Sequence, residues 1–547
     1  MKQNLIPPFI VQKNLESKHS GNFSGGVMFI DIVGFTALTD SLISHGRAGA
    51  ETITNIINMI FEPAISEIQK YGGWISSFAG DAFLAVFPEE NLSLMVDAAI
   101  KINTHINGLK IETKFGKFRI QIRTALSTGR IEWKIVKGAG RKTYYFLGEG
   151  FEQVFKSISI ADPGEIIVSS SLKKNVKSFS FKQKKKGYYI PVDKTGKIHP
   201  VNIIKSNDPE DYSIDEFIPE EILNLNIQGE FRNITSIFIS FDKEEREEEF
   251  LNSILKKTDE FGGYFNKTQF TEKGKNLLIL FGAPIAYENS LNRALSFILS
   301  LKGENRFKFH AGITSGIAFT GFIGSNIIKE YTALGDIVNI SSRLMFAAKT
   351  GEVLIPESLA KHINRDFETE YKGQFKLKGK KIQIKVFNLT GISKTFEKHS
   401  FLSQFIGRES ILKILTEKIN KIKSGKFSGL TYIYGEPGFG KTRLLSELSL
   451  LNEVNVQTIK LKADEIRKRS LGSFSTFLKE FFIPEDISET KKSALFKKRF
   501  KEFLEKIEKS GRHPEKSNII KELTRLQVFL TALLDFRKKN KEYEQFN

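Results

Sequence analysis

The 547-residue chain contains no cysteine. That single absence excludes disulfides, thiolate nucleophiles, iron–sulfur clusters and cysteine-built zinc sites. Histidine is scarce and scattered: its eight copies show neither HxxxH nor HExxH spacing, so a histidine-built metal site lacks its ligand pair. No apolar run approaches the roughly 18 residues that span a bilayer. The opening MKQNLIPPFIVQKNLE has an apolar stretch too short and too proline-broken for a secretory signal. These gaps predict a cytoplasmic protein of a reducing compartment, with no transmembrane anchor. Acid is in deficit as well, with 82 Lys and Arg against 63 Asp and Glu and a formal charge of +19. The excess spreads along the whole chain, and its densest run, Lys182 to Lys186, reads as a solvated hairpin face, so no nucleic-acid partner is expected.

What is present is a folded composition, 40% hydrophobic and 12% aromatic, on a chain long enough for three or four domains of about 150 residues. Internal repetition organises it. IRTALSTGRI from Ile122 matches FHAGITSGIA from Phe309, 187 residues on, and the same offset relates Tyr144 to Tyr331 and Gly164 to Gly351. Upstream, Gly72-Gly73-Trp74 matches Gly262-Gly263-Tyr264, and FLAVF ending at Phe87 matches LLILF ending at Phe281. Two homologous domains follow, 22–205 and 229–392, joined by an acidic linker over 206–228. A second linker, 393–404, leads to a third region over 405–547.

Within a repeat the pattern is strand, helix, strand pair, helix, strand. GGVMFIDI is a buried strand ending in an acid. Ile53, Ile56, Ile57, Ile60, Ala64 and Ile68 recur at helical spacing up to the stop signal Gly72-Gly73. SSFAGDAFLAVF reads as two strands turning at Gly80-Asp81. The expected fold class is α/β, an α+β sandwich with helices packed on a sheet. Asp31 at a strand end and Asp81 at a neighbouring hairpin tip form a hard-oxygen pair suited to Mg²⁺ or Mn²⁺, although strand-end acids and Asp-containing turns are often merely solvated.

The segments Phe29-Ile30-Asp31-Ile32-Val33-Gly34-Phe35-Thr36 and Phe78-Ala79-Gly80-Asp81-Ala82 resemble the two metal-binding signatures of class III nucleotidyl cyclases. The run from Glu330 to Arg343, EYTALGDIVNISSR, resembles the substrate and transition-state segment of the same family. Tandem cyclase domains followed by FIGRE and a P-loop are similar to the soluble adenylyl cyclase branch. The resemblance implies a pseudo-heterodimer of the two repeats with one composite active site and one degenerate site. It implies two metal ions held by Asp31, Ile32 and Asp81, with Asn339 orienting the ribose and Arg343 stabilising charge on the α-phosphate. Lys273 and Thr332 are the implied adenine contacts, and Arg141 or Lys142, with Lys385, are candidates for the triphosphate. The second repeat carries Ser240 and Lys275 at the positions of Asp31 and Asp81, and the first carries Glu152 and Lys156 at those of Asn339 and Arg343. Where bicarbonate-responsive members have a Lys and an Arg, this chain has Ser77 and Phe155, so bicarbonate stimulation is not expected.

The third region contains a strand-like GLTYIYG running into Gly435-Glu436-Pro437-Gly438-Phe439-Gly440-Lys441-Thr442, a Walker A pattern. Gly435, Gly440, Lys441 and Thr442 are its candidate nucleotide contacts, and the region reads as the start of a P-loop NTPase module open to further signalling partners. The implied reaction is conversion of ATP to cyclic AMP. The alternatives are a catalytically weak nucleotide-sensing module coupled to a switch ATPase, and a guanylyl cyclase, which Lys273 and Thr332 disfavour.

Overall fold

The computed structural model describes residues 2–195, 214–225, 229–241, 246–271, 274–287, 289–304, 306–363, 366–376, 383–393, 407–435, 441, 444–445, 447–448, 459, 461, 471–483, 489–509 and 515–534. Met1–Ser393 and Lys394–Asn547 are two separate compact units.

The first unit opens with α1 (Pro8–Leu15), whose Phe9 ring stacks on Trp74 at 5.3 Å. The first repeat then contributes β1 (Ser20–Ile32), α2 (Phe35–Ile43), α3 (Gly46–Lys70), β2 (Trp74–Ala79), β3 (Ala82–Pro88) and α4 (Leu92–Ile106). A small ribbon, β4 (Lys110–Thr113) and β5 (Gly116–Arg119), precedes β6 (Ile122–Gly138) and β7 (Arg141–Leu147). The repeat continues with α5 (Glu149–Ile158), β8 (Ile166–Ser169), α6 (Ser170–Asn175), β9 (Phe179–Lys185) and β10 (Tyr188–Lys194). After the short α7 (Glu220–Leu223), the second repeat supplies β11 (Gly229–Phe241), α8 (Glu247–Phe261), β12 (Tyr264–Thr271), β13 (Gly274–Phe281) and α9 (Ser290–Lys302). It ends with β14 (Phe309–Gly324), β15 (Lys329–Leu334), α10 (Asp336–Ala347), β16 (Val353–Pro356), α11 (Glu357–Ile363), β17 (Phe367–Phe375) and β18 (Ile384–Ile392).

The two sheets have the same order, β2-β3-β1-β6-β8-β10-β9 and β12-β13-β11-β14-β16-β18-β17, with β7 and β15 added alongside β6 and β14. The duplication read from the sequence is therefore a duplication of topology. All six periodic positions of α3 are buried, which is why this face lies on the sheet. The paired glycines that end α3 and α8 do two jobs. Gly72 and Gly262 adopt positive φ, 78° and 71°, and let the next amide return to Ile68 and Thr258 at 2.9 and 2.8 Å. A Cβ on Gly73 or Gly263 would come within 2.6 or 2.7 Å of the Phe87 or Phe281 ring, so only glycine admits those rings to the core.

The repeats share their interior. Val27, Leu84, Val86 and Phe151 of the first form one cluster with Tyr264, Leu280, Tyr331 and Val338 of the second. Phe319, Ile323, Ile328 and Leu334 on the β14–β15 arm join the core of the first repeat. Reciprocally, the β6–β7 arm reaches α8, where the Ala139 amide donates to Asn252 Oδ1 at 3.0 Å.

In the second unit α12 (Glu409–Lys423) precedes helices over Gly472–Phe482, Glu489–Lys509 and Lys516–Leu533, which pack around Phe482, Phe496, Phe500 and Leu534. The strand expected over GLTYIYG does not form. Leu430, Tyr432 and Tyr434 are almost wholly exposed, and among the described residues this unit holds no strand to pair with.

Helix α10 lies directly on Gly312 of β14: a Cβ there would stand 2.1 Å from the Ser341 carbonyl oxygen and 2.4 Å from the Met345 nitrogen. Both contacts are backbone, so the helix must move. Gly312→Ala should cost about 1–3 kcal/mol of stability in urea unfolding, whereas Gly391→Ala, whose Cβ meets only Glu368 Oε2 at 3.6 Å, should be close to neutral.

Candidate active site

Strand β1 delivers Asp31 beside the β2–β3 turn that carries Asp81. Register fixes Asp31 opposite Ala82 on one side and Arg123 on the other. The Ile32 amide donates to the Asp81 carbonyl at 3.4 Å, holding the hairpin tip against the end of β1. Gly34, with φ of 80°, turns the chain straight into α2.

Two carboxylates so placed repel. Burial, then the Asp31 charge, push the Asp81 carboxyl up to about 7. The Arg123 guanidinium answers part of this deficit, with Nε 3.1 Å from Asp31 Oδ2 and a second, shorter contact from its terminal nitrogen. Hard oxygens short of positive charge are of the kind that divalent cations prefer. Among the described residues no three His, Cys, Asp or Glu gather, so an ion held by Asp31 and Asp81 would complete its shell with backbone, water or substrate oxygens.

The second repeat brings the complement. Asn339 and Arg343 lie four residues apart on α10 and so share a face. Asn339 Nδ2 donates to Thr36 Oγ1 of α2 at 3.0 Å, a bond between the repeats that sets α10 beside the Asp31 loop. Thr332, buried on β15, donates to Asn266 Oδ1 at 2.9 Å, and Asn266 Nδ2 donates to the Tyr331 carbonyl at 2.7 Å. Asn266 occupies a bulge in β12, and the next residue, Lys267, turns its buried ammonium toward Glu330 and the Phe78 carbonyl, 2.9 Å away. Gln269 Nε2 donates to the same carbonyl at 2.8 Å. Phe78 is three residues ahead of Asp81, so β12 meets the acidic hairpin directly.

The remaining candidates fall elsewhere. Arg141 pairs with Asp259 of α8 at 3.2 Å, Lys142 with Glu216 at 2.5 Å, and Lys385 with Glu357 at 3.3 Å. None of these ion pairs is with Asp31 or Asp81, and Lys142 also lines a pocket with Asn266, Lys267 and Glu330. Lys273, Gly440 and Thr442 lie outside the described residues. In the second unit Lys441 Nζ donates to the Gly435 carbonyl at 2.7 Å. Ser77 lines a small pocket of about 60 Å³ with Tyr144, Lys267 and Glu330. The Phe155 ring packs edge-on against Phe29, and Lys156 is exposed.

Arg123, Lys267 and Asn266 lie against the predicted residues or their hairpin and were not picked out by the motifs, whereas Thr36 closes the first of those motifs. Arg123 is 92 residues from Asp31 and becomes its neighbour only through strand pairing. A usable signal existed for Lys267: the glycine pairs give an offset of 190 and the strands ending at Phe87 and Phe281 an offset of 194. The second hairpin is therefore four residues longer, and the offset of the glycine pairs sets Lys267 level with Ser77.

Two sheets of the same strand order on one chain define a tandem arrangement of cyclase type. The chain belongs to the family of adenylate and guanylate cyclase catalytic domains, which it matches over residues 18–201 and 249–391. It is 26% identical over 381 residues to adenylate cyclase type 10 of Mus musculus and 26% over 384 residues to that of Homo sapiens; each alignment takes in 59% of this chain and 24% of the relative. The chain thus matches about a quarter of the length of these curated relatives. A Pseudomonas aeruginosa structure described as a class III adenylyl cyclase-like ATP-binding protein is 14% identical, covering 62% of this chain and 84% of that one with a TM-score of 0.42. Among the described residues no helix is long and apolar enough to cross a membrane.

The raised Asp81 carboxyl has a consequence for stability. Its proton is retained in the fold up to about pH 7 but lost near the ordinary carboxylate value when unfolded, so the metal-free fold binds the extra proton between those limits. Stability from this group is present at low pH and is lost as pH rises through about 7. In the presence of EDTA, Asp81→Asn should therefore raise Tm more at pH 8 than at pH 5; an equal gain at both would contradict the assignment.

Proposed function

We propose that the composite site converts ATP to 3′,5′-cyclic AMP and pyrophosphate by in-line attack of the ribose 3′-oxygen on the α-phosphate. The observation that carries this reading is the Asn339–Thr36 bond, which puts the α10 residues of one repeat beside the acidic pair of the other. Two Mg²⁺ or Mn²⁺ ions held by Asp31, Ile32 and Asp81 would lower the pKa of the 3′-hydroxyl and neutralise the triphosphate.

The chain's own groups then position and compensate charge, as phosphoryl transfer requires. Asn339 exchanges its Thr36 partner for the ribose. Arg343, half-buried on the same helix face, meets the charge that develops on the α-phosphate. Once Asp31 is otherwise neutralised, Arg123 is released to hold triphosphate oxygens, a role its position suits better than those of Arg141, Lys142 or Lys385. For the base we assign Lys267 rather than Lys273, because Lys267 follows Asn266, the partner of Thr332, and its ammonium meets Glu330, two residues before Thr332 on β15. An ammonium donates to N1 of adenine, and Thr332 Oγ1 retains lone pairs for the 6-amino group. Guanine would present its own N1–H to that cation.

Purified protein should form cyclic AMP from ATP with Mg²⁺ or Mn²⁺ and far less cyclic GMP from GTP. Asp31→Ala and Asp81→Ala should each reduce this to background, and Arg343→Ala should lower kcat by about 100-fold with little change in KM. Full activity in either aspartate variant would overturn the reading.

The base assignment has its own test. Lys267→Met should raise KM for ATP about tenfold or more, by loss of a charge-assisted hydrogen bond, while Lys273→Met should leave KM nearly unchanged. The opposite pattern in steady-state kinetics would return the role to Lys273.

A further inference from the structure

The second junction between the repeats is built on the same frame with opposite charge. Ser240 pairs with Asn276 as Asp31 pairs with Ala82, which puts Lys275 at the place of Asp81. Tyr145 faces it from the first repeat, at the register position that Thr332 holds in the second: Tyr145 lies opposite Lys134, and Thr332 opposite Gly321. Lys275 Nζ stands 2.6 Å from Glu247 Oε1, 3.4 Å from the Tyr145 hydroxyl oxygen and 4.9 Å from the centre of its ring. The Tyr145 hydroxyl donates to the same Glu247 oxygen, closing a triangle. Lys275 and Tyr145 are buried, and the Glu247 side chain is 16% exposed.

Glu247 is there because α8 starts there. The helix has 15 residues against 25 in α3, and Glu247 is its first. From this triangle a row of contacts runs along α8 against the β6–β7 arm: Lys134 to Glu248 at 2.9 Å, the Ala139 amide to Asn252, and Arg141 to Asp259 at 3.2 Å. The outer ion pairs are solvated and contribute little. The triangle is the desolvated end of the row, where removing one member strands a charge.

We propose that this second half-site is an internal clamp: Lys275 brings from the protein the positive charge that ions bring to the first site, and its triangle with Glu247 and Tyr145 fixes the angle between the repeats. Lys275, Glu247 and Tyr145 are thus positioning residues. They set how closely Asn339 and Arg343 approach Asp31 and Asp81, and no ligand is needed to hold them closed. The effect on turnover rests on the cyclase reading above; the effect on the angle does not.

The cysteine-free chain of 547 residues permits a direct test. Spin labels on Lys174→Cys and Lys361→Cys, exposed sites on different repeats, report the inter-repeat distance by double electron–electron resonance. The labelled parent should give one narrow distribution, which Lys275→Met broadens strongly and Tyr145→Phe less so. Lys275→Glu alone should broaden it, and Lys275→Glu with Glu247→Lys should narrow it again. In parallel, kcat should fall about tenfold in Lys275→Met with KM nearly unchanged, the signature of lost alignment. Parental widths in both Lys275→Met and Tyr145→Phe would overturn the clamp, and if Lys275→Met does not fold, Tyr145→Phe alone decides. A parent that forms no cyclic nucleotide would remove the cyclase reading while the distance distributions still judge the clamp.

Discussion

Two carboxylates cannot share the end of a strand pair without positive charge close by, and much of this molecule follows from that constraint. Register brings Asp31 beside Asp81, and burial keeps the latter's proton to about pH 7. The protein's own reply is Arg123, placed by the neighbouring strand. The same frame in the second repeat meets the constraint differently, by changing the sign of the residue: Lys275 replaces the acid and is neutralised by Glu247. One junction thus carries two acids beside one arginine, while the other sets a lysine against a glutamate.

The parts of the fold that depend on local rules were legible in the sequence. Helical spacing put Ile53 to Ile68 on one buried face, the Gly72-Gly73 and Gly262-Gly263 pairs ended their helices, and Gly80-Asp81 turned its hairpin. Matched offsets disclosed the duplicated sheet. What stayed hidden depends on register across long separations. Nothing near Arg123 announces that it will face Asp31, and nothing near Asn266 announces the bulge that breaks the β12–β13 register there. GLTYIYG has strand composition, yet composition does not supply a neighbour, and among the described residues of its unit no strand pairs with it.

Neither repeat is complete alone in its interior. The β14–β15 arm places Phe319 and Leu334 in the core of the first repeat, and Tyr264 and Tyr331 share a cluster with Val27 and Val86. Exchange of arms therefore ties the site to the packing. Asn339 reaches Thr36 only because α10 rests on Gly312 with no side chain between them. Small volumes in the core set distances at the surface where substrate would lie.

The shared interior on a single chain also changes how the halves find each other. Were the two sheets separate molecules, formation of the site would be second order in protein and would fail on dilution. The connection from Lys194 to Gly229 replaces that encounter with an intramolecular one, independent of protein concentration. It also makes the pairing unequal by construction, since neither half need recognise a copy of itself. With self-pairing no longer required, each half is free to lose the residues that the other retains.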